Sequence, residues 1–102
     1  MSNLRFYINT SPIVFGGVQR SFSEALFVVL GFPFDGTSSY YPGARFGPLA
    51  IREASLNIET WSWRAEMDFE DLRCHDLGDL AIVVGDVHET LRRAQEVLED
   101  LY

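Results

Sequence analysis

The sequence predicts an α/β chain, built in the order β-α-β-α around a parallel pair of strands. Three observations carry this. Ala25 to Leu30 is a continuous apolar run with β-branched and aromatic members, the pattern of a strand covered on both faces in a parallel sheet. Pro48 opens a segment of helical spacing after a long loop, in the first turn where its missing N–H costs nothing. Beyond a second strand-like run at Leu72–Leu77, Val87, Leu91, Ala94, Leu98 and Leu101 recur at spacings of four, three, four and three, which is an amphipathic helix stripe. Strand, helix and strand in one sheet form a βαβ unit with a right-handed crossover.

The chain has 102 residues, enough for one small domain. Fifteen acidic residues against eight basic ones give a net charge of −7, and every basic residue is Arg. That balance argues against nucleic acid or an anionic membrane as partner. Cys74 is the only cysteine, so no internal disulfide forms and a cytoplasmic setting is expected. Within a strand it reads as a small buried hydrophobe. No charged region followed by an apolar core marks a signal peptide, and no apolar run approaches the length of a membrane span.

Residues 1–24 read as an irregular arm and connector, and residues 25–102 as the βαβα unit. Gly31 and Pro33 end the first strand. Phe34 to Gly47 contains Gly36, Pro42, Gly43 and Gly47 and is therefore a loop. The helix from Pro48 to about Asn57 offers Leu49, Ala50, Ile51, Ala54 and Leu56 to a sheet, with Arg52 and Glu53 facing outward or toward the loop. Ile58 to Asp71 reads as an irregular crossover. Its Trp61 and Trp63 are expected to bury the loop rather than to stack on a ligand. The strand Leu72–Leu77 places Leu72, Cys74 and Asp76 on one face, with Arg73, His75 and Leu77 on the other. Its polar character suggests a place near a sheet edge, and Gly78 and Asp79 are expected to end it. Asp86 caps the last helix with Glu89 as capping-box partner, and Glu89–Arg93 adds an i,i+4 pair.

In open α/β sheets ligands bind at the carboxyl ends of the strands, so the loop after Gly31 is the candidate site. Asp35 follows the strand directly. It either points into the crevice or fixes the loop by accepting backbone N–H bonds, the commoner role of Asp in a turn. Tyr40 and Tyr41 either line a substrate approach or anchor the loop.

The run GFPFDGTSSYYPGARFGPLAIREAS, Gly31 to Ser55, resembles the N-terminal signature of the ureohydrolases (arginase, agmatinase and relatives). It is most similar to the agmatinase branch of archaeal type. Asn57-Ile58-Glu59-Thr60, the CHDLGD segment from Cys74 to Asp79, and a helix opening near Asp86 match in the same order. The resemblance implies the N-terminal part of an arginase-like three-layer α/β/α fold with a parallel sheet. It implies a hydrolase of polyamine biosynthesis that cleaves a guanidinium C–N bond, agmatine giving putrescine and urea, in a trimer or hexamer. Two Mn²⁺ ions activate the attacking water. Their ligands lie in three later motifs of the family, none of which occurs here, and His75 and His88 match no ligand position. The expectation is therefore an N-terminal fragment with no catalytic or metal-binding residue, no metal bound, and no activity by itself. Arginase, guanidinobutyrase and formimidoylglutamase are alternatives within the family. A non-catalytic binding or assembly module is the alternative outside catalysis.

Arg45 and Arg52 recur in the family pattern PGxRxGPxxIR. A cationic guanidino substrate would be repelled by an Arg in its pocket. Both therefore read as structural, paired with Asp79, Asp76 or loop carbonyls. Gly43 and Gly47 read as backbone positions closed to other residues.

Overall fold

The computed structural model describes residues 7–36 and 43–101. Tyr40 and Tyr41 lie outside the described residues. The main sheet has three strands in the order β1-β5-β2: β1 is Ile8–Asn9, β2 is Phe27–Gly31 and β5 is Cys74–Leu80. β2 and β5 run parallel, as the apolar run and the second strand-like segment require. The arm is not wholly irregular, because β1 pairs antiparallel with β5 through Ile8–Leu80 and Asn9–Asp79.

Two expectations about β5 are corrected. It continues through Gly78 and Asp79 to Leu80, and it is the central strand of the sheet rather than an edge. The sequence misleads because Gly-Asp normally ends a strand. Here Leu77 is the extra residue of a bulge, since Val29 faces Asp76 while Leu30 faces Gly78. Gly78 takes φ +102°, and a Cβ there would stand 2.4 Å from the Asn9 carbonyl oxygen. The polar residues of β5 tolerate a central position because each meets a partner, as described below.

The helices are α1, Gly47–Ser55, and α2, Val87–Leu101. Asp76 and Leu77 are adjacent in β5 and point to opposite faces. Arg52 of α1 reaches Asp76, while Val97 of α2 packs with Leu77 and Leu80. Helices thus cover both faces of the sheet. The apolar core contains Leu77, Leu80 and Val97, with Tyr7, Ile8, Phe22, Leu30, Ala94 and Leu101 packed around them.

Helix α1 is rotated from the expected orientation, whereas α2 keeps Ala94 and Leu101 of its stripe against the core and leaves Leu91 and Leu98 partly exposed, as expected where sheet cover is incomplete. In α2 the fully buried positions are Thr90 and Val97, while Leu91 and Leu98 are 54% and 48% exposed. Thr90 is buried because its hydroxyl satisfies the turn before the helix, donating to the Asp86 carbonyl at 2.9 Å and accepting from Val83 N–H at 3.1 Å. In α1 the buried residues are Arg52 and Ser55, and Leu49, Ile51 and Leu56 are exposed. The cap at Asp86 is present, with its carboxylate accepting Glu89 N–H at 2.9 Å. The Glu89 carboxylate turns to Arg92 and Arg93 instead of closing the box.

The crossover also differs. It carries a small hairpin, β3 (Trp61–Ser62) against β4 (Met67–Asp68). Trp63 is 82% exposed and Trp61 is exposed as well, their rings meeting edge to face with centroids 6.1 Å apart. The two tryptophans therefore do not bury the loop, whose inner contacts come from Phe69 against Phe15, centroids 5.6 Å apart.

The burial pattern of α2 gives a direct test. Leu80→Ala should destabilise the chain by about 2–5 kcal/mol. Leu91→Ala and Leu98→Ala should each stay within about 0.5 kcal/mol of wild type. Urea midpoints in the reverse order would show that the helix presents the Leu91–Leu98 face to the core.

Candidate functional site

The carboxyl ends of β2 and β5 carry Gly31 and Asp79, which are register partners. The helix α1 begins beside them at Gly47-Pro48, so strand ends, loop and helix start converge on one place. Gly31 is required here for space: a Cβ would fall 1.9 Å from the Asp79 carboxylate and 3.0 Å from the Pro48 ring. Asp79 is thereby wedged between a strand end and a helix start.

Arg52 closes the arrangement from α1. It is 2% exposed. Its Nε donates to Asp76 Oδ2 at 2.7 Å and its Nη2 to Asp76 Oδ1 at 2.9 Å, a two-pronged fork on one carboxylate. Its Nη1 donates to Asp79 Oδ1 at 2.6 Å, and Nη2 also reaches the Gly78 carbonyl at 2.9 Å. The expectation that Arg52 faces outward or toward the loop is therefore corrected. The acids named as its possible partners are both engaged. Asp76 receives two further bonds, from Phe15 N–H at 2.9 Å and Gly78 N–H at 3.0 Å. Among the described residues no buried side-chain nitrogen or oxygen lacks a partner.

The electrostatics follow from this geometry. Burial alone would push the Asp76 carboxyl up. The Arg52 fork and the N–H groups of Phe15 and Gly78 outweigh it and hold Asp76 below the usual carboxylate range. Arg52 is held above its ordinary value, first by its bonds to Asp76. Burial pushes the Cys74 thiol up, which agrees with an inert core cysteine.

Asp35 serves the loop. Its carboxylate accepts Gly43 N–H at 2.8 Å and lies 3.3 Å from Arg45 Nε. Arg45 therefore meets Asp35, not Asp76 or Asp79. It is half exposed and its guanidinium lies 5.3 Å from the Phe46 ring centroid. Gly43 has φ +150°, a conformation that favours glycine, whereas Gly47 has ordinary helical angles with φ −59°. The expectation of a special backbone at Gly47 is thus corrected.

Some residues of this network gave little sign of their role in the sequence. Ser55 accepts Gly16 N–H at 2.9 Å and donates to the Arg52 carbonyl at 2.6 Å. Gln19 uses its side-chain amide as a strand would use a peptide, accepting Asp76 N–H at 2.8 Å and donating to the Asp76 carbonyl at 2.9 Å. The one available signal was Asp76 itself, an acid inside an otherwise buried strand, which demands a partner. His75 is held outside this cluster, its Nδ1 2.7 Å from the Arg20 carbonyl. His88 lies exposed in the first turn of α2. Among the described residues, no group of three or more His, Cys, Asp or Glu could hold a metal ion.

A sequence model of the arginase family matches residues 25–102. The chain belongs to the arginase family. Within it, the N(1)-aminopropylagmatine ureohydrolase of Thermococcus kodakarensis is 49% identical over 78 residues, 76% of this chain and 27% of that protein. The agmatinase of Pyrococcus horikoshii is 41% identical over the same shares. The solved agmatine ureohydrolase of Thermoplasma volcanium superposes on 99% of this chain and 33% of its own, with a TM-score of 0.79 at 32% identity. The chain thus spans about a quarter to a third of these arginase-family relatives, and matches their N-terminal part. No helix among the described residues is long and apolar enough to cross a membrane.

Two outcomes test the site. Arg52→Met should cost about 3–5 kcal/mol, because Asp76 is left buried and unpaired. Arg45→Ala, where the guanidinium is half exposed and Asp35 keeps the Gly43 N–H, should cost no more than about 1 kcal/mol. Equal losses in thermal melts would remove the distinction between them. The second outcome concerns pH. A carboxylate held below its ordinary value adds stability that is complete above the ordinary carboxylate range and is lost as pH falls through the depressed value. The wild-type chain should therefore lose stability in acid below about pH 4. In Arg52→Met the fork is gone and burial is opposed only by the N–H groups of Phe15 and Gly78, so Asp76 sits higher than in the wild type and that variant should lose less stability over the same acid range. Parallel acid profiles for the two proteins would show that Asp76 does not depend on Arg52.

Proposed function

We propose that this chain is the N-terminal portion of an agmatinase-type ureohydrolase, a hydrolase that releases urea from a linear guanidino amine. The observation that carries this reading is the arginase-family match over residues 25–102, together with identities of 49% and 41% over 78 residues to relatives named for N(1)-aminopropylagmatine and agmatine. Within that range, Gly31–Ser55 and Cys74–Asp79 build the Arg52–Asp76–Asp79 clamp at the carboxyl ends of the parallel strands. The 49% identity to the aminopropylagmatine ureohydrolase favours a substrate with an extended polyamine tail as a second candidate.

In this reading the chain supplies scaffold and approach rather than chemistry. The described residues do not fit a metal site, and the clamp carboxylates are already engaged by Arg52. Manganese in the assembled enzyme would be held by residues other than these. The clamp fixes the strand ends, and the Asp35 bonds to Gly43 and Arg45 tie together the two flanks of the loop. Arg52 is neutralised by two carboxylates, so its charge does not oppose a cationic substrate nearby.

A hybrid enzyme tests the proposal. Residues 25–102 would replace the matching 78 residues of the Thermococcus kodakarensis relative. Urea release would be measured with agmatine, N(1)-aminopropylagmatine and arginine. Turnover of the two guanidino amines over arginine is expected. Activity on arginine alone would overturn the agmatinase-type assignment.

A further inference from the structure

The crossover between α1 and β5 borders a cavity that Arg52, Asp76 and Asp79 do not line. It holds about 290 Å³, at the small end of ligand pockets, which run from about 300 Å³ upward. Phe15, Ile58, Met67, Phe69 and Leu72 give it an apolar floor. The hydroxyls of its lining are already engaged: Ser55 donates to the Arg52 carbonyl, Thr60 donates to Asp68, and Ser62 accepts Ala65 N–H. Among the described residues that line it, Glu59 alone is charged, and Glu59 is exposed. Trp61 also lines it and is 42% exposed, with Trp63 beside it at 82% and the two ring planes at 82° to each other. Indoles normally bury their large apolar area. Here two remain open beside a cavity and a carboxylate, an arrangement suited to holding an organic cation over a ring face. Residues 58–72 carry five acidic side chains against one basic, Arg64, so the field at this rim is negative.

We infer that this cavity is a binding site for a small organic cation, a primary ammonium carried on an apolar tail. The tail lies on the floor of Phe15 and Phe69, and the ammonium stays at the rim with the Glu59 carboxylate and the indole rings. Each part of the ligand answers a part of the site. An apolar cavity of about 150 Å³ takes a benzene-sized molecule, so 290 Å³ admits a hydrocarbon tail of that size or somewhat larger. The negative rim opposes a carboxylate or phosphate head. A neutral ligand would leave the Glu59 charge unused. The cavity also stands apart from the strand ends. Ser55 at its wall is the last residue of α1, and that helix separates it from Gly47, beside Asp79, by about 12 Å. The inference therefore goes beyond the hydrolase reading and does not rest on it.

The chain carries its own reporter, because Trp61 and Trp63 are its only tryptophans. The intact chain is titrated with n-hexylammonium and followed by tryptophan emission, with 1-hexanol and hexanoate as the neutral and anionic counterparts. A saturable change with hexylammonium is expected, about tenfold tighter than with hexanol and absent with hexanoate. Glu59→Gln, at an exposed side chain, should weaken hexylammonium about tenfold and bring it level with hexanol. Glu53→Gln removes the same charge from α1, outside the cavity lining, and should leave the affinity unchanged. No saturable change with the amine overturns the inference. Equal binding of all three compounds overturns it as well, as does an equal loss in the two variants. Emission that shifts with protein concentration and not with the amine assigns the cavity to a second copy of the chain, and overturns it too.

Discussion

A buried guanidinium sets the terms for the rest of this molecule. A charge taken out of water costs several kcal/mol unless its partners replace the lost hydration. Arg52 finds those partners on β5, from which it receives two carboxylates and a carbonyl. The choice fixes α1 against the sheet, decides which face of α1 turns inward, and requires β5 to run past Gly78 so that Asp79 comes within reach. It also recruits the arm, because the second Asp76 oxygen accepts Phe15 N–H as well. A neutral residue at position 52 would leave each of these contacts without its reason.

The polar clamp and the apolar core divide the sheet between them. The core of Leu77, Leu80 and Val97 lies on the α2 side and is small. On the α1 side the packing is largely electrostatic, with Ser55, Arg52 and Asp76 taking the places that aliphatic residues fill elsewhere. Apolar packing tolerates small shifts, whereas a forked Arg–carboxylate pair is held to tenths of an ångström. The side of the unit nearest the proposed substrate approach is therefore the stiffer one by construction.

The sequence made some of this legible and concealed the rest for physical reasons. The strand at β2 announced itself because a continuous apolar run with β-branched and aromatic members suits a strand covered on both faces. The start of α1 was marked by Pro48. The facing of α1 was hidden, because counting apolar residues cannot reveal that a helix buries its arginine; the partners that permit it lie 24 and 27 residues away. The far end of β5 was hidden by Gly78-Asp79, which reads as a stop until β1 is seen passing over it. In α2 the stripe was legible: Ala94 and Leu101 pack against the core and Leu91 and Leu98 stay partly exposed at its margin, whereas the burial of Thr90 depends on bonds to the preceding turn that no apolar pattern shows. At the site, the family pattern pointed to Arg52 and Asp79, while Gln19 lies outside the matched segments and Ser55 closes one with no role assigned, so both became visible only through their bonds.

The bond from Phe15 to Asp76 spans 61 residues and those of Gln19 span 57. Closing a loop of that length is costly and slow beside the formation of a helix turn. During synthesis the arm leaves the ribosome well before β5, yet these bonds have nothing to hold until position 76 has been made. Phe15 and Gln19 therefore find their place late among the described residues, and the making of Asp76 is the moment at which this arm learns where it belongs.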